Sequence, residues 1–206
     1  MKKDLLKQIA KKGYTISYAA NLNFATYDFV RNFTTIVSFI SIVVGVLGLV
    51  SSFFSAQWIS VTLLLLGIAS LYISNFTKDI ESYGDRGKRH TQQLNQLKNL
   101  YLKVKTKAND DLEDEIREYE KIEEEFNNDS QPKQLFLFSD WIAHYKLFFT
   151  KDVSWMDEQL HFGWFRDKTP QSLKMCVLFL VICIVLYYCY AVPTIREFIK
   201  ALLFIE

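Results

Sequence analysis

The sequence predicts an all-α membrane protein: a transmembrane helical hairpin continued by a cytoplasmic helical pair, plus a third C-terminal transmembrane helix. Three observations carry this expectation. No Asp, Glu, Lys, Arg or His lies between Arg31 and Lys78, and the strongly apolar stretch from Phe33 to Thr77 is interrupted only at Ser55-Ala56-Gln57. Each half matches the ~20 residues that cross a ~30 Å hydrocarbon core, and so short a turn returns the second helix beside the first. A second apolar run, Met175 to Ile195, carries no charge and is also long enough to span. Between the two lies a charged segment with apolar residues at helical spacing. The mean hydropathy of +0.05 averages these parts and conceals them. A length of 206 residues would on its own suggest one soluble domain.

Residues 1–32 read as a helix. Leu5, Leu6, Ile9 and Ala10 form an apolar face with lysines opposite, and Tyr14, Tyr18, Phe24, Tyr27 and Phe29 continue it toward the membrane. A basic amphipathic helix on the bilayer surface and a helix packed on the cytoplasmic bundle both fit this pattern. The stretch after Lys12 is polar and aromatic, unlike the short apolar core of a cleavable signal, so the first hairpin helix is expected to direct insertion.

Residues 33–77 are the transmembrane hairpin. Lys2, Lys3, Lys7, Lys11, Lys12 and Arg31 precede it, Lys78, Arg86, Lys88 and Arg89 follow it, and its tip is uncharged. The positive-inside rule therefore places both ends, and the N-terminus, in the cytoplasm. The segment from Lys78 to Lys174 is then cytoplasmic, and a third span carries Arg196 and Lys200 to the far side. Those two basic residues oppose that assignment, which leaves a re-entrant or surface-lying third segment as the alternative.

Residues 78–132 read as a helical hairpin. Leu94, Leu97, Tyr101 and Val104 recur at three and four residues, Leu112, Ile116, Tyr119 and Phe126 repeat the spacing, and Asn109-Asp110-Asp111 supply a turn and N-cap. Asn127 to Pro132 breaks the second helix. Residues 133–173 are aromatic-rich, with Trp141, Tyr145, Phe149, Trp155 and Trp164 among the rings. Such rings favour a membrane interface, so Leu135 to Phe149 is expected as a helix against the inner leaflet or the bundle; an aromatic ligand pocket is the functional alternative. Residues 174–206 hold the third apolar helix and tail. All three cysteines, Cys176, Cys183 and Cys189, fall there without CxxC spacing, which suggests neither a disulfide framework nor a zinc site.

The catalytic inventory is thin, and the chain is not expected to be an enzyme or to need a cofactor. His90, His144 and His161 sit in different segments, and none is read as having a His, Cys or carboxylate at ligand spacing. No Gly-rich phosphate loop or GxSxG elbow is present, and the acids of Glu113 to Glu125 read as a solvated helix face. Gly84 to Arg89 is the best phosphate or nucleic-acid candidate. Its position below the membrane makes Arg86, Lys88 and Arg89 equally a membrane-surface basic anchor, and direct nucleic-acid binding is not expected.

The spans are more informative. In the first, Ser38, Ser41, Gly45, Gly48 and Ser52 recur at steps of three and four; in the second, Ser60, Gly67, Ser70 and Ser74 repeat this in part. Small residues at this period let helix backbones approach, and hydroxyls add interhelical hydrogen bonds of ~0.6 kcal/mol each. The stripe is thus a helix-packing surface or, in an assembly, the lining of a polar path, since no charged side chain lies at membrane depth. One copy has too few helices to enclose a pore, so a homo-oligomer is implied.

A polar-aromatic approach from Tyr18 to Phe33, a Ser-rich first span and the helix around His90 to Tyr101 follow one another in a layout that resembles the bacterial SLATT family of two-span effectors. The resemblance covers roughly Leu5 to Phe126. It implies a multi-pass protein of the bacterial inner membrane, serving an antiphage system and killing the infected cell by disrupting that membrane. It also implies partnership with a reverse transcriptase of retron type or a nucleotide synthase, or with the product of such an enzyme. The third apolar run and the aromatic block depart from the two-span plan.

Three functions follow: a membrane effector that oligomerises or opens on a cytoplasmic signal, a small constitutive channel subunit, and a membrane anchor that recruits a soluble partner. A transporter would show ionisable or broken-helix features in its spans. A passive anchor needs no small-residue stripe.

Overall fold

The structure, a computed structural model, describes residues 1–54, 56–108, 111–129, 138–150 and 152–191; for Phe138 and for residues 188–191 it describes the backbone alone. Among the described residues every regular element is helical. The Ser55 tip, the turn residues Asn109 and Asp110, the Pro132 break and the chain after Ala191, with Arg196 and Lys200, lie outside them.

The first helix, α1, runs unbroken from Lys2 to Gly48, 47 residues, or ~70 Å at the helical rise. The N-terminal helix and the first membrane helix are therefore one element. No proline precedes Pro132 to interrupt it. What changes along α1 is its surroundings. Leu5, Ile9, Ala10, Ile16, Ala20, Ala25 and Val30 are buried, whereas Ile36, Phe39, Ile42 and Val46 are exposed. Exposed apolar side chains in a membrane segment face lipid, so this gradient marks where the bundle ends and the bilayer begins. After the turn, α2 (Gln57–Ser74) returns along α1, and a short 3₁₀ turn (Thr77–Asp79) leads into α3 (Ile80–Thr106).

Along the buried N-terminal part of α1 lies α3. Two glycines set the spacing: a Cβ on Gly87 would fall 2.7 Å from the Phe24 ring, and one on Gly84 would fall 3.4 Å from Tyr27. Both pairings sum to the same register, so α1 and α3 are antiparallel, and residue 90 lies opposite residue 21. Farther from the membrane, Leu97, Leu100, Tyr101 and Val104 of α3 pack with Leu5, Leu6, Ile9, Ala10 and Ile16 of α1. Each such fully buried side chain is worth ~1.5–3 kcal/mol over its exposed state. Residues 1–32 thus pack along α3 and the rest of the bundle.

The second helix of the expected pair, α4 (Glu113–Asn128), closes the core with Leu112 at its start and Ile122, flanked by Ile116, Tyr119 and Phe126. Its acidic first turn, Glu113, Asp114 and Glu115, suits the positive end of the helix dipole. Ion pairs from Lys103 to Glu118 at 3.3 Å and from Lys107 to Glu115 at 2.8 Å hold it against α3. The seams read in the sequence meet α1 as well as each other, which is why neither needed coiled-coil length.

Of the aromatic block, α5 (Phe138–Tyr145) continues into a π-helical turn (Lys146–Thr150) and packs on α1, burying Ala143 and Leu147. Thr26 donates its hydroxyl to Ser139 Oγ at 2.9 Å. The Tyr14 ring packs tilted against those of Phe148 and Phe162; it precedes Phe33 by 19 residues, ~28 Å along the helix. The described part of the expected helix therefore packs on the bundle, while Leu135 to Leu137 lie outside the described residues. A short helix absent from the sequence reading, α6 (Ser154–Leu160), drives Trp155 into the core at Gly13, where a Cβ would lie 2.4 Å from the indole.

The last element, α7 (Gln171–Ala191), starts four residues before the apolar run, after the buried Pro170. Its described side chains from Val177 to Tyr187 are exposed. Cys176 is half-buried and Cys183 exposed, both as free thiols.

Candidate functional site

The membrane hairpin is sealed along one face. On α1 that face is Val37, Ser41, Val44 and Gly48; on α2 it is Ile59, Leu63, Leu66, Ser70 and Ile73, buried or half-buried at steps of three and four. The small-residue stripe therefore divides. Ser41, Gly48 and Ser70 lie in the seam, while Ser38, Gly45, Ser52, Ser60, Gly67 and Ser74 are exposed on the outer surface. Nothing lies within 4 Å of a Cβ built on Gly45 or Gly67. The hydroxyls mostly turn back on their own helices: Ser38 bonds Thr34 O and Ser41 bonds Val37 O, each at 2.8 Å, and Ser74 bonds Leu71 O at 2.7 Å. Ser70 Oγ is buried without a partner.

Val30, Ile73, Phe76 and Tyr83, with Tyr27, Phe29, Phe33 and Ile80 around them, form an apolar plug at the foot of the hairpin. Arg31 stands at its edge, its guanidinium bonded to Tyr27 Oη at 2.9 Å.

Below the plug the α1–α3 interface turns polar. Ser17 and Asn21 of α1 and His90 of α3 are buried. Gly84 to Arg89 is a turn of α3 rather than a loop, which spreads its cations around the helix. Lys88 is exposed and pairs with Asp85 at 3.1 Å. Arg86 and Arg89 face Asp129 at the end of α4, with Nε 3.7 Å and Nη2 3.2 Å from its carboxylate. His90 Nε2 stands 4.0 Å from the same carboxylate, and its Nδ1 is 3.1 Å from Gln93 Oε1. Burial lowers the His90 pKa, against the pull of Gln93 and Asp129. Two of the three expected surface cations are thus committed to an internal carboxylate.

A second polar node joins three elements. Asp140 of α5 accepts hydrogen bonds from the hydroxyls of Tyr18 of α1 and Ser172 of α7, and Trp141 Nε1 donates to Ser172 Oγ at 3.0 Å. His144 Nδ1 lies 3.3 Å from Asp140, one helical turn away, and its ring stands edge-on to Tyr18 at 5.1 Å. The expectation that no histidine has a carboxylate neighbour is corrected here: Asp140 and His144 share a face at i, i+4. Burial first, then the hydrogen bond to Asp140, pushes the Tyr18 phenol far up, so it stays a donor. The node borders a cleft of about 390 Å³ lined by Tyr14, Tyr18, Arg166, Asp167 and Lys174 among others. Among the described residues no three His, Cys, Asp or Glu side chains gather as a metal site.

Residues 1–177 match the SMODS and SLOG-associating 2TM effector domain 6. The chain belongs to this SLATT family. No curated protein and no solved structure matches it. As a SLATT domain it is a membrane effector associated with defence systems, with the spans in α1 and α2. The SLATT match ends inside α7, so most of that apolar helix lies beyond the family's extent.

Proposed function

We propose that this SLATT protein is the effector of a bacterial antiphage, abortive-infection system. On a cytoplasmic signal it oligomerises or opens and depolarises the inner membrane. The observation that carries the reading is the continuity of α1 from the buried bundle at Leu5 to the membrane tip at Gly48. A rigid helix shared by both regions transmits a displacement of one to the other without a hinge. The open faces at Gly45 and Gly67 leave room for a second copy at membrane depth, consistent with a polar path built by assembly. The charge map supports an N-terminus and bundle in the cytoplasm, where a reverse transcriptase, a nucleotide synthase or the product of either would deliver the signal. The protein acts through interaction rather than catalysis.

The test is a potential-sensitive dye read alongside growth when the protein is triggered or overproduced. Loss of potential before growth arrest is the expected result. Arrest with an intact potential overturns the reading in favour of a membrane anchor, and depolarisation independent of any trigger favours a constitutive channel subunit.

A further inference from the structure

Arg86 carries Nε and Nη1 atoms that are buried and make no hydrogen bond among the described residues. Its side chain is only 15% exposed, and Nε is 3.7 Å from the Asp129 carboxylate, an ion pair without hydrogen-bond contact. Arg89 takes both carboxylate oxygens, at 3.2 and 3.4 Å. Nearby, Lys88 pairs with Asp85 at 3.1 Å and Lys12 with Glu123 at 2.6 Å. Two guanidiniums therefore share one carboxylate, which leaves an unbalanced positive charge and unused donors. Across the interface, Asn21, placed opposite residue 90 by the Phe24–Gly87 register, holds a buried Nδ2 that likewise has no partner among the described residues.

A partly buried surplus of donors and positive charge is the complement of a tetrahedral oxyanion. A planar carboxylate offers two oxygens, whereas a phosphate offers three or more with a charge of about −1.5 to −2, which suits two guanidinium forks together. We propose that Arg86, Arg89 and Asn21 form a phosphate-binding site, that Asp129 is its internal occupant, and that a phosphorylated ligand displaces Asp129. Because Asp129 caps α4, its displacement frees the membrane-proximal end of α4 from α3. The regulatory part of this inference rests on the proposed effector function; the binding part stands alone. The phosphate is that of a soluble nucleotide or of an anionic lipid headgroup, as Arg86 follows Lys78 by eight residues, ~12 Å along the helix.

The full chain in phosphatidylcholine nanodiscs is assayed by equilibrium dialysis with radiolabelled inorganic phosphate and with AMP, and the assay is repeated with phosphatidylglycerol in the discs. Arg86→Gln is expected to weaken binding at least tenfold, Asp129→Asn to strengthen it several-fold, and Lys88→Gln to leave it unchanged. The gain in Asp129→Asn cannot be imitated by misfolding. Competition by phosphatidylglycerol assigns the site to a headgroup, and binding indifferent to it assigns a soluble ligand. Absence of phosphate, AMP and phosphatidylglycerol effects in both the wild type and Asp129→Asn overturns the proposal, as does binding unaffected by Arg86→Gln. No arm reads membrane potential, so failure of the effector reading leaves this result distinct.

Discussion

The hydroxyls of Tyr18 and Ser172 meet on one carboxylate, that of Asp140, so the first helix and the third apolar helix are joined through a side chain that belongs to neither. Trp141 and His144 reinforce the same point from α5. From Val177 to Tyr187 the side chains of α7 are exposed, so this node at its start is a polar attachment to the bundle.

Removal of that carboxylate should loosen α7 first. Asp140→Ala leaves two half-buried hydroxyls without an acceptor, at ~1–3 kcal/mol of stability, and Asp140→Asn, which keeps one acceptor oxygen, should lose less. At ~2–4 °C per kcal/mol for a chain of this size, the change is visible in the Tm of detergent-solubilised protein. Limited proteolysis should show earlier cleavage at exposed Trp164 and Phe165. Equal protease resistance in wild type and Asp140→Ala would refute the attachment.

The glycines separate into two classes. Gly13→Ala and Gly87→Ala drive a methyl into the rings of Trp155 and Phe24 and should cost ~1–3 kcal/mol each. Gly45→Ala and Gly67→Ala meet open space and should leave the Tm unchanged or raise it, since Gly in a helix interior is ~1 kcal/mol poorer than Ala. Leucine at Gly45 and Gly67 should permit insertion yet reduce crosslinked oligomers and depolarisation. Full activity of both leucine variants would exclude that face from assembly.

Acid should weaken the bundle through the lysines of α3. The Glu115 pKa is lowered, chiefly by the hydrogen bond from Lys107; that of Glu158 is lowered by Lys105; and that of Asp152 is lowered to about 2 by Ser154 and Lys98. A carboxyl depressed in the folded state adds stability that is complete above its unfolded pKa and is lost as pH falls through the folded one. The Tm should therefore hold near neutrality and drop between about pH 4 and pH 2. Lys98→Gln should flatten that drop, and a Tm slope identical to wild type would count against the pairing.

Topology is checked with Glu124→Cys in a background lacking the native cysteines. Glu124 is exposed on α4. An impermeant thiol reagent should leave it unlabelled in intact cells and label it once the membrane is opened. Labelling in intact cells would place the bundle outside.

The sequence by itself determined the parts that a one-dimensional signal encodes. The uncharged stretch from Arg31 to Lys78 specifies a hairpin because a bilayer tolerates only helices there, and the spacing of Leu97, Tyr101, Val104 and Leu112 specifies helices because it matches 3.6 residues per turn. The match of residues 1–177 to the SLATT family agrees with the layout these signals describe. Periodicity is blind to what faces each stripe. Tertiary structure alone decided that α1 crosses the presumed boundary at residue 32 without a break, that Trp155 fills the gap at Gly13, and that the small-residue stripe is split between seam and outer face. It alone decided that Arg86 and Arg89 turn toward Asp129, and that Tyr18, Asp140 and Ser172 converge. Each convergence joins residues from distant parts of the chain, and its energy comes from burial and hydrogen-bond geometry that exist only once the helices have packed. The one local trace, Asp140 and His144 four residues apart, was readable as a shared helix face, but nothing in the sequence showed that Tyr18 would meet it.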